Sequence, residues 1–220
     1  MRRLALLLPL LALLAGCAPP AAVPGKDYAK LRAEDPASIL VVPVVNRSVD
    51  VTASDLFLST LTVPLASRGY YVFPVYLVKR LMEDDGLGDA GMVHQADPRR
   101  LGELFGADAI LYVTINRWDA KYAVIATSVE VDFDYVLKSG RTGEELWKAH
   151  QAWTYVPSSQ STGNAVADLI SLAVTASIAK AAPDFMPLAR SANHKAFDPP
   201  HQGLPAGRHS PQHGTDKGEY

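Results

Sequence analysis

Several groups of residues in this sequence have types and spacings that could carry chemistry. Gly86-Leu-Gly-Asp-Ala-Gly91 has the spacing of a loop that cradles a pyrophosphate. Such a loop needs a strand before it and a helix N-terminus after it, and here Glu83, Asp84 and Asp85 come first and would repel phosphate. The stretch therefore reads as a surface loop, with no nucleotide and no cofactor expected. Ser177 and Lys180 stand three apart, as the nucleophile and base of penicillin-recognising enzymes do, but no Lys-Thr-Gly partner occurs. Lys180 instead suits the negative end of a helix dipole. Four of the six histidines, His194, His201, His209 and His213, crowd the C-terminal stretch, where Pro205, Gly207, Pro211 and Gly214 argue against the helix that would align two of them on a metal. His94 and His150 have no carboxylate or cysteine cluster at ligand spacing in the sequence. The pattern provides no catalytic set, no metal site and no enzyme.

Cys17 is different. It is the only cysteine in 220 residues, and it follows Leu14-Ala15-Gly16 at the end of an apolar run that begins with the positive Met1-Arg2-Arg3. A charged start, a short apolar stretch and small residues before a cut are the parts of an export signal. The run is shorter than the roughly 20 apolar residues that span a bilayer, so it reads as a processing segment. Ala15-Gly16-Cys17 resembles the bacterial lipobox, in which the thiol is alkylated by diacylglycerol, residues 1–16 are cleaved and the new N-terminus is acylated. At roughly 0.8 kcal/mol per buried methylene, the resulting chains hold firmly where one alone would not. An aspartate after the cysteine generally marks retention in the inner membrane, and Ala18 stands there instead. The expected place is the outer membrane, facing the periplasm, with surface exposure left open.

Losing Arg2 and Arg3 takes the formal net charge from −2 to −4 and leaves 204 residues. That is one domain with extensions, and its mild acidity gives no reason to expect nucleic acid. With no cysteine left for a disulfide, stability must come from packing. Residues 17–26, with Pro19, Pro20 and Pro24, read as a lipidated tether. Residues 27–183 read as the periplasmic domain, and 184–220 as a Pro/Gly/His-rich tail with little regular structure.

Within the domain, Ser38 to Asn46 reads as a buried strand missing one donor at Pro43. Leu58, Leu61 and Leu65 share one helical face that Pro64 kinks and Gly69 ends. Tyr70 to Phe73 reads as a strand, Val75 to Met82 as a turn or two of helix, and Asp97-Pro98 opens a helix to Gly106 with Leu101, Leu104 and Phe105 inward. Ala109 to Ile115 is the next strand. Beyond Lys121 the period becomes two, with Val129, Val131 and Phe133 on one face and Glu130, Asp132 and Asp134 on the other, so antiparallel sheet with one wet face is expected. Lys138 to Gly143 forms a turn, Glu145 to Tyr155 returns, and an alanine-rich helix from about Asn164 to Ala182 closes the domain. The fold class is α/β, a single-domain sandwich with a mixed sheet covered by helices on one face. Tyr135, Trp147, Trp153 and Tyr155 could form a docking surface for a protein partner or could pack into the core, and both readings stand open.

Four stretches together, Ser38-Ile-Leu-Val-Val-Pro-Val-Val-Asn-Arg-Ser48, Pro64-Leu-Ala-Ser-Arg-Gly-Tyr-Tyr-Val-Phe-Pro-Val75, Phe105-Gly-Ala-Asp-Ala-Ile-Leu-Tyr-Val-Thr-Ile115 and Arg141-Thr-Gly-Glu-Glu-Leu-Trp147, resemble an outer-membrane lipoprotein family known from a neisserial vaccine candidate, a domain of unknown function. The likeness covers about residues 27 to 182, and Gly203-Leu-Pro-Ala-Gly207 also resembles it. The resemblance implies a fold similar to the N-terminal domain of the Tol-system periplasmic protein, an association with curli-channel-like lipoproteins, and no enzymatic activity. The expected role is a non-enzymatic accessory protein binding a partner in a curli-like secretion or envelope-assembly system. A lipoprotein regulator of peptidoglycan synthesis is the alternative, though Ala18 to Gly25 reaches at most about 28 Å, and an envelope hydrolase is the third. Cys17→Ser should abolish incorporation of labelled palmitate and release the protein from membranes; labelling that persists in the variant would remove Cys17 as the acylation site.

Overall fold

The computed structural model describes residues 25–122, 127–155, 168 and 186–220. Six strands form one mixed sheet: β1 (Ser38–Val41), β2 (Val45–Asn46), β3 (Tyr71–Val72), β4 (Ala109–Tyr122), β5 (Thr127–Ser139) and β6 (Glu145–Tyr155), in the order β3-β1-β4-β5-β6 with β2 also on β4. β3, β1, β2 and β4 are parallel, while β4, β5 and β6 form an antiparallel meander. The described helices are α1 (Ala29–Glu34), α2 (Ala53–Ser59), α3 (Thr62–Ser67), α4 (Val75–Asp84), α5 (Ala90–Gln95), α6 (Pro98–Phe105) and α7 (Met186–Phe197).

Local chemistry accounts for most of the boundaries. Pro43 lacks an N–H, and the expected single strand is accordingly two short ones, β1 and β2, on either side of it. Pro64 breaks its helix one turn earlier than its own position, because its ring cannot bond the carbonyl four residues back. That carbonyl belongs to Thr60, between α2 and α3, and it accepts instead from Asn193 Nδ2 at 3.2 Å. Asp97 caps α6 by accepting from the Arg99 N–H at 3.0 Å, and Gly106 ends it at φ 66°. A helix does begin within the Gly86–Gly91 stretch, at Ala90, but α4 and not a strand precedes it, so the phosphate-loop context is missing.

Helices cover both faces at the parallel side of the sheet, not one as expected. One face buries Ile39, Leu111, Val113, Val131, Phe133 and Tyr135 beneath α2, α3 and α7. The other buries Leu40, Val42, Ile110 and Tyr112 beneath Val78 and Met82 of α4, Val93 of α5 and Leu101 of α6. Parallel strands dry on both faces read as continuous apolar runs, as Ile39 to Val42 does. Within α6 Leu101 is buried and Phe105 half-buried against the same core, as expected; Leu104 points to solvent, because Gly102 takes the contact side. A Cβ on Gly102 would come within 2.3 Å of the Gly140 carbonyl oxygen, so α6 lies directly on the β5–β6 turn.

The C-terminal stretch corrects a second expectation. Met186–Phe197 is a helix whose Leu188, Ala189, Ala192, Ala196 and Phe197 are buried. The segment beyond it is stitched to the domain despite its prolines and glycines. Tyr28 and Tyr70 donate from their hydroxyls to the carbonyls of Gly203 and Pro205, each at 2.9 Å. Gly207 N–H donates to the Arg68 carbonyl at 2.8 Å, and Leu204 is completely buried. Composition signalled a solvated tail, but a few apolar anchors and backbone bonds suffice to dock it. Asn164 to Ala182, expected as the closing helix, lies outside the described residues apart from Asp168.

Leu204→Ala should destabilise the domain by about 2–4 kcal/mol, the usual loss for a buried leucine, measured as a shift in urea midpoint at unchanged slope. A loss under about 0.5 kcal/mol, typical of an exposed position, would show that the segment contributes no core.

Candidate functional site

Of the four aromatic residues that could have formed a docking surface, two are core. Tyr135 is fully buried; it donates from its hydroxyl to Asn193 Oδ1 at 2.9 Å and meets Phe197 edge-on, and burial holds its hydroxyl far above the ordinary tyrosine range. Trp147 is also buried and donates from Nε1 to the Gln202 carbonyl at 3.1 Å. Both leave the list of surface candidates, since alternate β5 and β6 side chains face the helices. Trp153 and Tyr155 are half-buried at the margin of the same core. Cys17 lies outside the described residues.

What the tryptophans do is seat lysines. Lys26 Nζ stands 4.5 Å from the Trp147 ring centre and Lys195 Nζ 4.2 Å from that of Trp153. Neither lysine has a carboxylate partner among the described residues. Lys26 Nζ also donates to the Lys148 carbonyl. Burial, and then repulsion from Lys148, pull the Lys26 ammonium down to about 8. Between these lysines runs a groove of about 620 Å³ whose lining includes Lys148, His150, Gln151, Ala196 and Gln202.

The groove follows the free edge of β6, and the register shows which backbone groups it receives. In an antiparallel pair the N–H and C=O of one residue point the same way, and alternate residues point oppositely. Leu111 directs its carbonyl at the Val42 N–H of the β1 side, at 3.2 Å, so odd residues of β4 face away from β5. Even residues of β4 and β5 therefore bond each other, as Ile110 opposite Lys138 and Tyr112 opposite Val136. Odd residues of β5 then bond odd residues of β6, as Tyr135 opposite Ala149 and Phe133 opposite Gln151. Lys148, His150 and Ala152 are left pointing outward, which the Lys26 bond to the Lys148 carbonyl confirms independently. Among the described residues no backbone group pairs with that edge.

On the wet face of the meander, His150 Nδ1 lies 2.8 Å from Asp134 Oδ1 and 3.7 Å from Asp132 Oδ1, while Asn116 Nδ2 donates to both carboxylates at 2.6 and 3.0 Å. These three could meet one ion, their ligand atoms lying within 4.8 Å of one another. Burial alone would raise the Asp134 carboxyl, but the Asn116 and His150 hydrogen bonds outweigh it and hold it below the usual range. The arrangement is already a hydrogen-bonded cluster. A second cavity, of about 250 Å³, lies where the C-terminal segment meets α1, and its carboxylate Asp35 is held by Arg208 at 2.8 Å and His213 at 3.5 Å. Sequence spacing gave no hint of the β6 groove, because Lys26 and Lys195 come from opposite ends of the domain. β6 is one of the two edge strands of the sheet, with β3 at the other end.

An α/β domain behind a lipobox-like N-terminus has the form of a lipoprotein. More narrowly, the chain belongs to the family described as "Putative lipoprotein GNA1162-like", which it matches over residues 26–207. A lipoprotein of Neisseria meningitidis serogroup B (strain ATCC BAA-335 / MC58), NMB1124/NMB1162, is 37% identical over 124 residues; the match spans 56% of this chain and 58% of the relative's own length. The crystal structure of lipoprotein GNA1162 from Neisseria meningitidis aligns at TM-score 0.55 and 32% identity, over 66% of this chain and 99% of that one. The PelC dodecamer from Paraburkholderia phytofirmans aligns at TM-score 0.47 and 16% identity, over 82% of this chain and 94% of that one, a likeness too slight to bear on role or assembly.

The Lys26 geometry makes a pH prediction. Below about pH 8 the ammonium is charged in both folded and unfolded chains, and the folded state bears the full cost of burying it. Between about 8 and the ordinary lysine value of 10.5 the folded chain sheds its proton first and the cost lifts. Wild type should therefore gain about 1 kcal/mol relative to Lys26→Gln between pH 7 and pH 10, a figure discounted for solvent screening at this half-exposed group. Urea midpoints at the two pH values test it, and a constant difference would show that Lys26 titrates normally.

Proposed function

We propose that this chain is an accessory lipoprotein of the bacterial envelope: residues 1–16 are removed, Cys17 is acylated and held in the outer membrane facing the periplasm, and the α/β domain binds a protein of a curli-like secretion or envelope-assembly system. The observation that carries the reading is the lone cysteine at the end of an export signal in a chain belonging to a lipoprotein family. A lipid anchor and a short tether keep the domain near its membrane, since eight extended residues reach at most about 28 Å. What it binds must come to that surface. Binding in place of turnover, and the curli-like system, rest on the family resemblance.

In-cell crosslinking from envelopes of the native host, followed by membrane fractionation, tests both halves. The wild-type chain should sediment with the outer membrane and capture at least one discrete protein of the same envelope. A chain that fractionates with the inner membrane, or that several crosslinkers leave without any protein neighbour, would overturn the reading.

A further inference from the structure

The outward backbone edge of Lys148, His150 and Ala152, the lysines on Trp147 and Trp153 that have no carboxylate partner among the described residues, and the groove between them have one ligand chemistry in common. We propose that β6 accepts an extended acidic segment of a partner protein, which adds as a further strand to the sheet with its carboxylates on Lys26 and Lys195. The inference rests on the protein-binding role above and names the kind of partner and the place.

An exposed strand edge presents a row of N–H and C=O groups that an extended peptide completes, with side-chain pockets supplying selectivity. Here the edge is shielded on its core side by Lys195, Ala196, Pro199 and Gln202, which line the same groove. An added strand would lie beneath α7 and meet the two lysines with the side chains of that face. Trp147 and Trp153 are six residues apart on one face of β6. A partner strand in register would therefore carry acidic residues about six apart on one face, roughly 20 Å along the strand. The lowered Lys26 proton affinity agrees with a cation awaiting its counter-ion. Lys148 is already paired with Glu145 at 2.9 Å, which leaves Lys26 and Lys195 as the groove's lysines without a carboxylate partner among the described residues. A second copy of this chain fits poorly, because β6 pairing with itself would bring the same lysines together.

The test uses the acylated full-length protein in detergent and a panel of blocked heptapeptides with Asp or Glu at the first and seventh positions and varied Val, Thr, Ile and Tyr between. A matched panel carries Lys at those two positions. Acidic peptides should bind, more weakly as ionic strength rises, and the basic panel should not. Ala152→Pro removes an outward N–H without touching the β5 ladder, so it should weaken binding roughly five- to tenfold with an unchanged melting temperature. The Lys26→Glu/Lys195→Glu double variant leaves the ladder intact and should abolish binding. No binding by any acidic peptide, equal binding by the basic panel, or indifference to both variants would overturn the proposal. So would a wild-type dimer that Ala152→Pro dissolves, which would make β6 an interface between copies. Crosslinking the two variants in envelopes separates the two readings: a partner captured by both variants as well as by wild type refutes the β6 site and leaves the accessory role standing, whereas loss of capture from all three refutes the role.

Discussion

Strand β5 has one dry face and one wet face, and the rest of the domain is arranged around that division. Val129, Val131, Phe133, Tyr135 and Leu137 are buried on one side, while Glu130, Asp132 and Asp134 alternate with them on the other. A slip of one residue against β4 or β6 would send the carboxylates under the helices and the aromatics into water. The cost of burying unpaired carboxylates fixes the register of the whole meander. With the register fixed, the direction of every backbone group in β6 follows, including those that point outward.

The dry side is closed by elements from distant parts of the chain. Phe57 of α2 sits 4.6 Å from Phe133, ring centre to ring centre, and Phe197 of α7 meets both Tyr135 and Trp147. Several polar groups trapped in that layer satisfy one another. Asn193 accepts from the Tyr135 hydroxyl and donates to the carbonyl and hydroxyl oxygens of Thr60, the place where Pro64 interrupts the helix. A break that proline forces on one helix thus becomes the acceptor that orients another. Such a network specifies a unique packing because each group left unmet would cost about 1–3 kcal/mol.

For a lipoprotein, this construction separates anchoring from recognition. On the proposed anchoring by acyl chains at the N-terminus the folded surface need not be apolar, and no described helix is long and apolar enough to cross a membrane. The domain is free to offer polar edges and paired charges to the envelope. The tryptophans of β6 show how the two demands share residues: their rings close the core on one side and seat ammonium groups on the other.

Period and punctuation were enough to read most of the described elements of the central domain, though not α1 or α5. The two-residue period of β5, the Asp97-Pro98 start and Gly106 stop of α6, and the proline breaks at 43 and 64 are local effects, settled by neighbours in the chain. The lone Cys17 behind its apolar run is equally local. Tertiary structure alone decided that Tyr135 and Trp147 lie inside, that Gly102 and not Leu104 faces the sheet, and that residues 186–220 dock although their composition reads as tail. It also decided that Lys26 and Lys195 flank one strand edge. The reason is the same in each case: period-two alternation says that two faces differ but not which helices cover them, and docking of a Pro- and Gly-rich segment depends on a few long-range contacts that leave no periodic trace in sequence.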